Sequence, residues 1–429
     1  MAIRLSLCLF ALLACTLRAA AQPAPNVVTQ WAEIVQQSIH NAGAPRSAGS
    51  SQVLHTMVHL AVYDAVVAVE GGYAPFITHK KQRPQADADV RAAVATAAYL
   101  TARARVAPSQ HAYLDQAYAG YIAGLPDGVA KAAGISIGTK AATAIVEERA
   151  ADGFNNVVSY QCSEVPPPPG EFEPDSACPA SATAPQPVDV KVGQIKPYTF
   201  KKRRNFSPRP PVALTSPTYS TDFAETRDYG RVDSLVRTPA QTDIAFFWSE
   251  NPYVHWNRNL TALAISRQLD VLDTARLFAM VQTAVSDAVI IGFDAKYRYG
   301  FWRPRTAIPH ADADGNEATD ADPSWRPLLS VNHPEYPSGH GFWSTALIDS
   351  VARFFGTSDV SWTLTTSKVA VPRVQQTSRT YPDLETLKRE IFDARIWGGL
   401  HWRFSTAVGS EIGEDVAEHV SKHFFQPRK

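Results

Sequence analysis

Cysteine is scarce: the 429-residue chain holds four, which excludes a small scaffold stapled by many disulfides. Neither sign of charge dominates, because 41 basic residues face 41 acidic ones. That balance argues against a nucleic-acid partner held by bulk charge. Charged residues make up only 19% and hydrophobic residues 45%, a globular composition rather than a disordered one. Runs alternating apolar and polar residues are scarce, and no convincing short repeat is present, which disfavours sandwiches, barrels and solenoids. The first apolar run, Leu5 to Leu17, is too short to span a bilayer comfortably, and no later stretch is a better candidate.

What is present begins with an export pattern. Arg4, the run Leu5 to Leu17 and Ala19-Ala20-Ala21 read as a signal peptide over residues 1–21, cut before Gln22. The expected location is the periplasm or the extracellular space. Leu12-Leu13-Ala14-Cys15 offers a lipoprotein alternative that Leu13 fits poorly. Cleavage removes Cys8 and Cys15 and leaves Cys162 and Cys178, read as one disulfide against the alternative of two free thiols.

Helical patterns fill most of the remainder, so the expected class is all-α, built of helical bundles. Residues 22–155 form an N-terminal helical region with segments at Val27 to Ala42, Ser50 to Glu70, Ala88 to Arg105, Pro108 to Ala123 and Gly128 to Ala151. Residues 156–215 form a Pro-rich boundary segment, where Pro166 to Pro169 and the prolines after them forbid helix. Lys201-Lys202-Arg203-Arg204 within it reads as a solvated strip. Residues 216–429 form a C-terminal helical domain. Its segments are Gln241 to Trp248, Asn257 to Leu269, Leu272 to Tyr299 opened by Asp273 or Thr274, Gly341 to Phe355, Asp383 to Trp397 and Thr406 to Phe425.

Three segments of that last domain carry unusual polar content. Lys296 and Arg303 are seven apart, which on a helix returns both cations to nearly one face. Their repulsion calls for an anion or for acids elsewhere. His333-Pro-Glu-Tyr-Pro-Ser338-Gly339-His340 leads into a helix, so backbone N–H groups, a hydroxyl and the positive helix end can cradle an anion, with His340 placed to move a proton. In Arg395-Ile-Trp-Gly-Gly-Leu-His401, Arg395 can bind an oxyanion and His401 can act as nucleophile or metal ligand.

Taken in order, Lys-x6-Arg-Pro, Pro-Ser-Gly-His and Arg-x5-His resemble the vanadium-dependent haloperoxidases, which share fold and site with type 2 phosphatidic acid phosphatases and bacterial acid phosphatases. The motifs cover Lys296 to His401, and Phe301-Trp-Arg-Pro and His401-Trp-Arg-Phe look more like the haloperoxidase branch. The resemblance implies a vanadate cofactor bound axially by His401. Lys296, Arg303, Arg395, Ser338 and the Gly339 N–H would hold its oxygens, and His340 would serve as acid and base. It also implies hydrogen peroxide, halide and a small organic acceptor as partners, with hypohalous acid as product. Family members often form dimers, so a homodimer is an expectation from the resemblance alone. In a phosphatase the same residues would hold phosphate, with His401 as nucleophile. A site that no longer reacts would leave a non-catalytic oxyanion-binding protein.

Two positions depart from the family pattern. An acid usually stands four residues after the last His; Ser405 stands here, a weaker partner for the His401 ring. Ala394 replaces the common Ser before Arg395. His333 resembles the bromoperoxidase side, and with Phe293 it is expected in a halide pocket, favouring bromide or iodide. His55 and His59 lie four apart but lack a third zinc ligand, and read as core histidines. The acidic loop after His310 fails the calcium register. Asn205 and Asn259 stand in glycosylation sequons, relevant only in a eukaryotic secretory host.

Overall fold

The computed structural model describes residues 24–40, 46–77, 83–175, 186–201 and 203–428. The expected signal peptide, Cys178 and Lys202 lie outside them. Cys162 is disulfide-bonded.

The first five helices are α1 (Val27–His40), α2 (Ala48–Glu70), α3 (Val90–Arg103), α4 (His111–Ala123) and α5 (Val129–Glu148). After the Pro-rich stretch come α6 (Pro217–Gly230), α7 (Pro239–Phe247), α8 (Pro252–Ser266), α9 (Val271–Tyr299) and the single turn α10 (Pro304–Ala307). Then follow α11 (Gly339–Phe355), α12 (Leu384–Trp397) and α13 (Arg403–His423). A small antiparallel hairpin, β1 (Trp362–Thr365) and β2 (Ser378–Tyr381), pairs Trp362 with Tyr381. The all-α class holds.

Helices α2 and α9 form the centre. Both are long and apolar enough to cross a membrane, yet 94% of each apolar window is buried in protein. They pack on each other, α3 and α5 cover α2, and α11 and α13 cover α9. Helix α5 is also apolar enough by length and composition, and is 33% buried. One apolar cluster runs from Val27 to Phe425. A second, around Trp302, Trp325, Tyr336 and Trp402, lies under α6 and α10.

Several boundaries differ from expectation for local reasons. Asp270, not Asp273 or Thr274, caps α9, its carboxylate accepting the Asp273 N–H at 2.8 Å. Helix α8 starts at Pro252 because Asn251 caps it and Pro suits a first helical position. Helix α6 was not expected; Ser216 and Pro217 start it, but its sequence lacks a strong apolar stripe. His55 and His59 are buried core residues with Nε2 atoms 3.1 Å apart. Asn259 is buried and bonded to the His255 carbonyl, closed to glycan.

Candidate active site

The loop before α11 ends on Ser338, whose side-chain oxygen accepts the Gly341 N–H at 3.4 Å. Its hydroxyl hydrogen is therefore left to donate elsewhere. Gly339 and His340 open the helix, where N–H groups have no acceptor one turn back.

Lys296 and Arg303 do not meet along one helix face. Helix α9 stops at Tyr299, Gly300 turns left-handed at φ 54°, and Arg303 is extended ahead of Pro304. The chain reversal places both cations against the 333–335 loop. The Lys296 Nζ donates to the Pro334 and Glu335 carbonyls, each at 2.9 Å. Arg303 donates to the His333 carbonyl at 2.5 Å, to Pro334 at 3.3 Å and to the Leu400 carbonyl at 2.8 Å. Its Nη2 also lies 2.9 Å from His333 Nδ1, which in turn lies 3.1 Å from the Pro334 carbonyl.

Arg395 lies in the last turn of α12. Gly399, at φ 69°, reverses the chain; a Cβ there would stand 2.5 Å from the Gly230 carbonyl. His401 follows, almost fully buried. Its Nδ1 lies 2.7 Å from the Glu335 carboxylate, which also accepts the Trp402 N–H at 3.1 Å. An acceptor at Nδ1 leaves the Nε2 lone pair free as a ligand or nucleophile.

Glu335 is the functional residue that sequence reasoning missed. Concern over Ser405 assumed that the orienting acid must follow His401 on α13. The acid comes instead from the opposite loop, 66 positions earlier. Burial pushes the Glu335 carboxyl up to about 7, against the pull of Lys296 and Arg303, and the buried Ser405 hydroxyl has no hydrogen-bond partner among the described residues. The carboxylate three residues before Ser338 was the available signal.

Phe293, His333, Gly339, His340, Arg395 and His401 all line one cavity of about 390 Å³. Lys296, Arg303 and Ser338 are buried and do not line that cavity, although the first two feel the same cluster of charge. Phe293 packs edge-on against His333, ring centres 5.6 Å apart. Arg395 Nη1 donates to the Trp248 carbonyl at 3.0 Å. Burial first, then Arg395, push His340 well below its ordinary value.

Three cations face one carboxylate here. Burial, then neighbouring cations, push Lys296 far down, and Arg395 falls to about 9. Such shifts are those of cations lacking a counter-ion. Arg395 Nε is buried without a partner among the described residues. The donors, the helix start and the Nε2 lone pair suit a small oxyanion carrying a metal that needs one imidazole. The residues therefore fit vanadate.

A family model described as the VCPO second helical-bundle domain matches residues 276–428. Vanadium chloroperoxidase of Curvularia inaequalis is 26% identical over 158 aligned residues, covering 30% of this chain and a quarter (25%) of that protein. A structure described as the first bacterial vanadium-dependent iodoperoxidase superposes with a TM-score of 0.76 at 20% identity, covering 94% of this chain and 98% of that one. A holo-type bacterial vanadium-dependent chloroperoxidase gives 0.73 at 18% identity, with the same coverage. The sequence likeness is thus confined to the C-terminal part of the chain, while the likeness of fold to these bacterial enzymes extends over 94% of it.

Proposed function

We propose that the chain is an exported, vanadate-dependent haloperoxidase that oxidises halide with hydrogen peroxide to hypohalous acid, favouring bromide or iodide. The observation that carries this reading is the His401–Glu335 pair inside a buried cluster of Lys296, Arg303 and Arg395, opening on a cavity. The preference for the heavier halides rests on His333, where the bromoperoxidase branch often has histidine, and on the fold neighbour named an iodoperoxidase.

Vanadate bound here would supply a Lewis acid that makes peroxide electrophilic toward halide. His401 would hold it through Nε2, with Glu335 fixing the tautomer. Arg395 offers most of its N–H groups, Lys296 its third and Arg303 its fifth. These preorganised donors stabilise negative charge on the oxyanion. Depressed by its surroundings, His340 is neutral at pH 7, so it can take a proton from peroxide and return it to the departing oxygen. One halide, one peroxide and one proton give one hypohalous acid and one water.

Purified protein given vanadate, bromide or iodide, and peroxide should halogenate a dye. Hydrolysis of an aryl phosphate without halide oxidation would overturn this reading in favour of the phosphatase. Failure of both assays would favour an oxyanion-binding protein. Export is checked by finding Gln22 at the mature N-terminus.

A further inference from the structure

Halide and peroxide are small and polar, and need only the charged end of the cavity. Much of the remaining wall is apolar: Phe293, Trp343, Leu400 and Leu329 line it, Val188 and Val331 stand toward its edge, and Ser249, Ser330 and Asn332 add polar groups. Val188 belongs to the Pro-rich segment and is 38% exposed. Its N–H bonds the Asn332 carbonyl at 2.8 Å, and its own carbonyl accepts from the Tyr297 hydroxyl. The Pro-rich segment is thereby pinned against the 329–333 loop at the cavity wall.

Two carboxylates also line the wall, and both are already engaged. Asp189 accepts the Gly49 and Ser50 N–H groups at 3.0 and 3.2 Å, and bonds Ser47. Glu250 is held by Arg258 and His255. Neither offers a free partner for an amine. An anionic guest would compete for Arg395. Apolar walls with few polar groups, in a space of about 390 Å³, suit a small neutral ligand.

We propose that this cavity binds the organic acceptor, a neutral, electron-rich, single-ring arene such as a phenol, so that halogen is transferred inside it rather than by released hypohalous acid. The proposal rests on the haloperoxidase reading for its chemistry, but not for its binding. In the transfer, a ring carbon supplies the electron pair of the new carbon–halogen bond. The oxygen–halogen bond breaks with its pair on oxygen, and the ring proton leaves with that oxygen as water.

Phenol is titrated into cofactor-free protein by calorimetry and ligand-observed NMR, for wild type, Val188→Trp and Val331→Trp. The expected result is saturable phenol binding and at least tenfold weakening in either variant, each checked for an unchanged melting temperature. On vanadate-loaded enzyme, the ortho-to-para ratio of bromophenol should differ from that of free hypobromous acid, and either substitution should return it to the free value. Lack of saturable phenol binding, or a wild-type ratio equal to that of free reagent, overturns the subsite. Phenol binding without any halide oxidation would keep the subsite and refute the haloperoxidase reading instead.

Discussion

Two buried glutamate–imidazole pairs lie near the same cavity and behave oppositely. Glu335 meets His401 at 2.7 Å, and Glu250 meets His255 at 3.1 Å. Glu250 also takes two bonds from Arg258, at 2.9 and 2.5 Å, and others from Thr366 and Ser367. Despite opposing burial, those bonds hold it far below the usual carboxylate range. Glu335 has no such dedicated cation: Lys296 and Arg303 sit nearby, but spend most of their donors on backbone carbonyls. Burial therefore wins, and its pKa rises to about 7. A carboxylate with its own arginine ties α8 to the segment after β1, while one left with an imidazole can tune that imidazole.

The sharpest break in this comparison is His401→Ala. It removes the one imidazole whose free nitrogen faces the cavity with a carboxylate behind it. Vanadate binding by calorimetry and halide oxidation should both fall to background, while His255→Ala should leave vanadate binding within about threefold. Retained vanadate affinity in His401→Ala would refute the ligand assignment. Glu335→Gln comes next. Its amide oxygen can still accept from Nδ1, but the charge is gone, and loss of such an outer partner costs about 10- to 100-fold in metal affinity. If position matters less than charge, Ser405→Asp should restore part of the affinity in a Glu335→Ala background. The His401 tautomer, read by nitrogen NMR on cofactor-free protein, would separate orientation from general damage.

These two pairs were not equally legible. The Pro-Ser-Gly-His and Arg-x5-His motifs pointed to His340, Arg395 and His401 through the family resemblance that they carry together, each being a weak signal alone. The long apolar patterns of α2 and α9 likewise exposed the all-α core. Glu335 was hidden because its partner lies 66 residues away, and hairpin β1–β2 because its strands have only four residues each. The spacing of Lys296 and Arg303 misled, since periodicity cannot see a left-handed glycine between them.

The remaining tests separate anchor from site. Glu250→Gln leaves Arg258 with half a partner. Breaking a buried pair costs about 3–5 kcal/mol, but Arg258 is partly exposed, so about 2 kcal/mol is expected after screening. The melting temperature should drop by about 2 °C, with the loss falling on stability rather than on oxyanion affinity. A pH series sharpens this further. The Glu250 pKa is lowered by folding, so the folded state binds its proton less readily than the unfolded chain does. Its stabilisation is thus full above the unfolded value of about 4.5 and is lost as pH falls below it. The gap in melting temperature between wild type and Glu250→Gln should be widest at neutral pH and shrink progressively from about pH 4.5 toward 3. A gap independent of pH would mean that shape, not charge, is what Glu250 contributes.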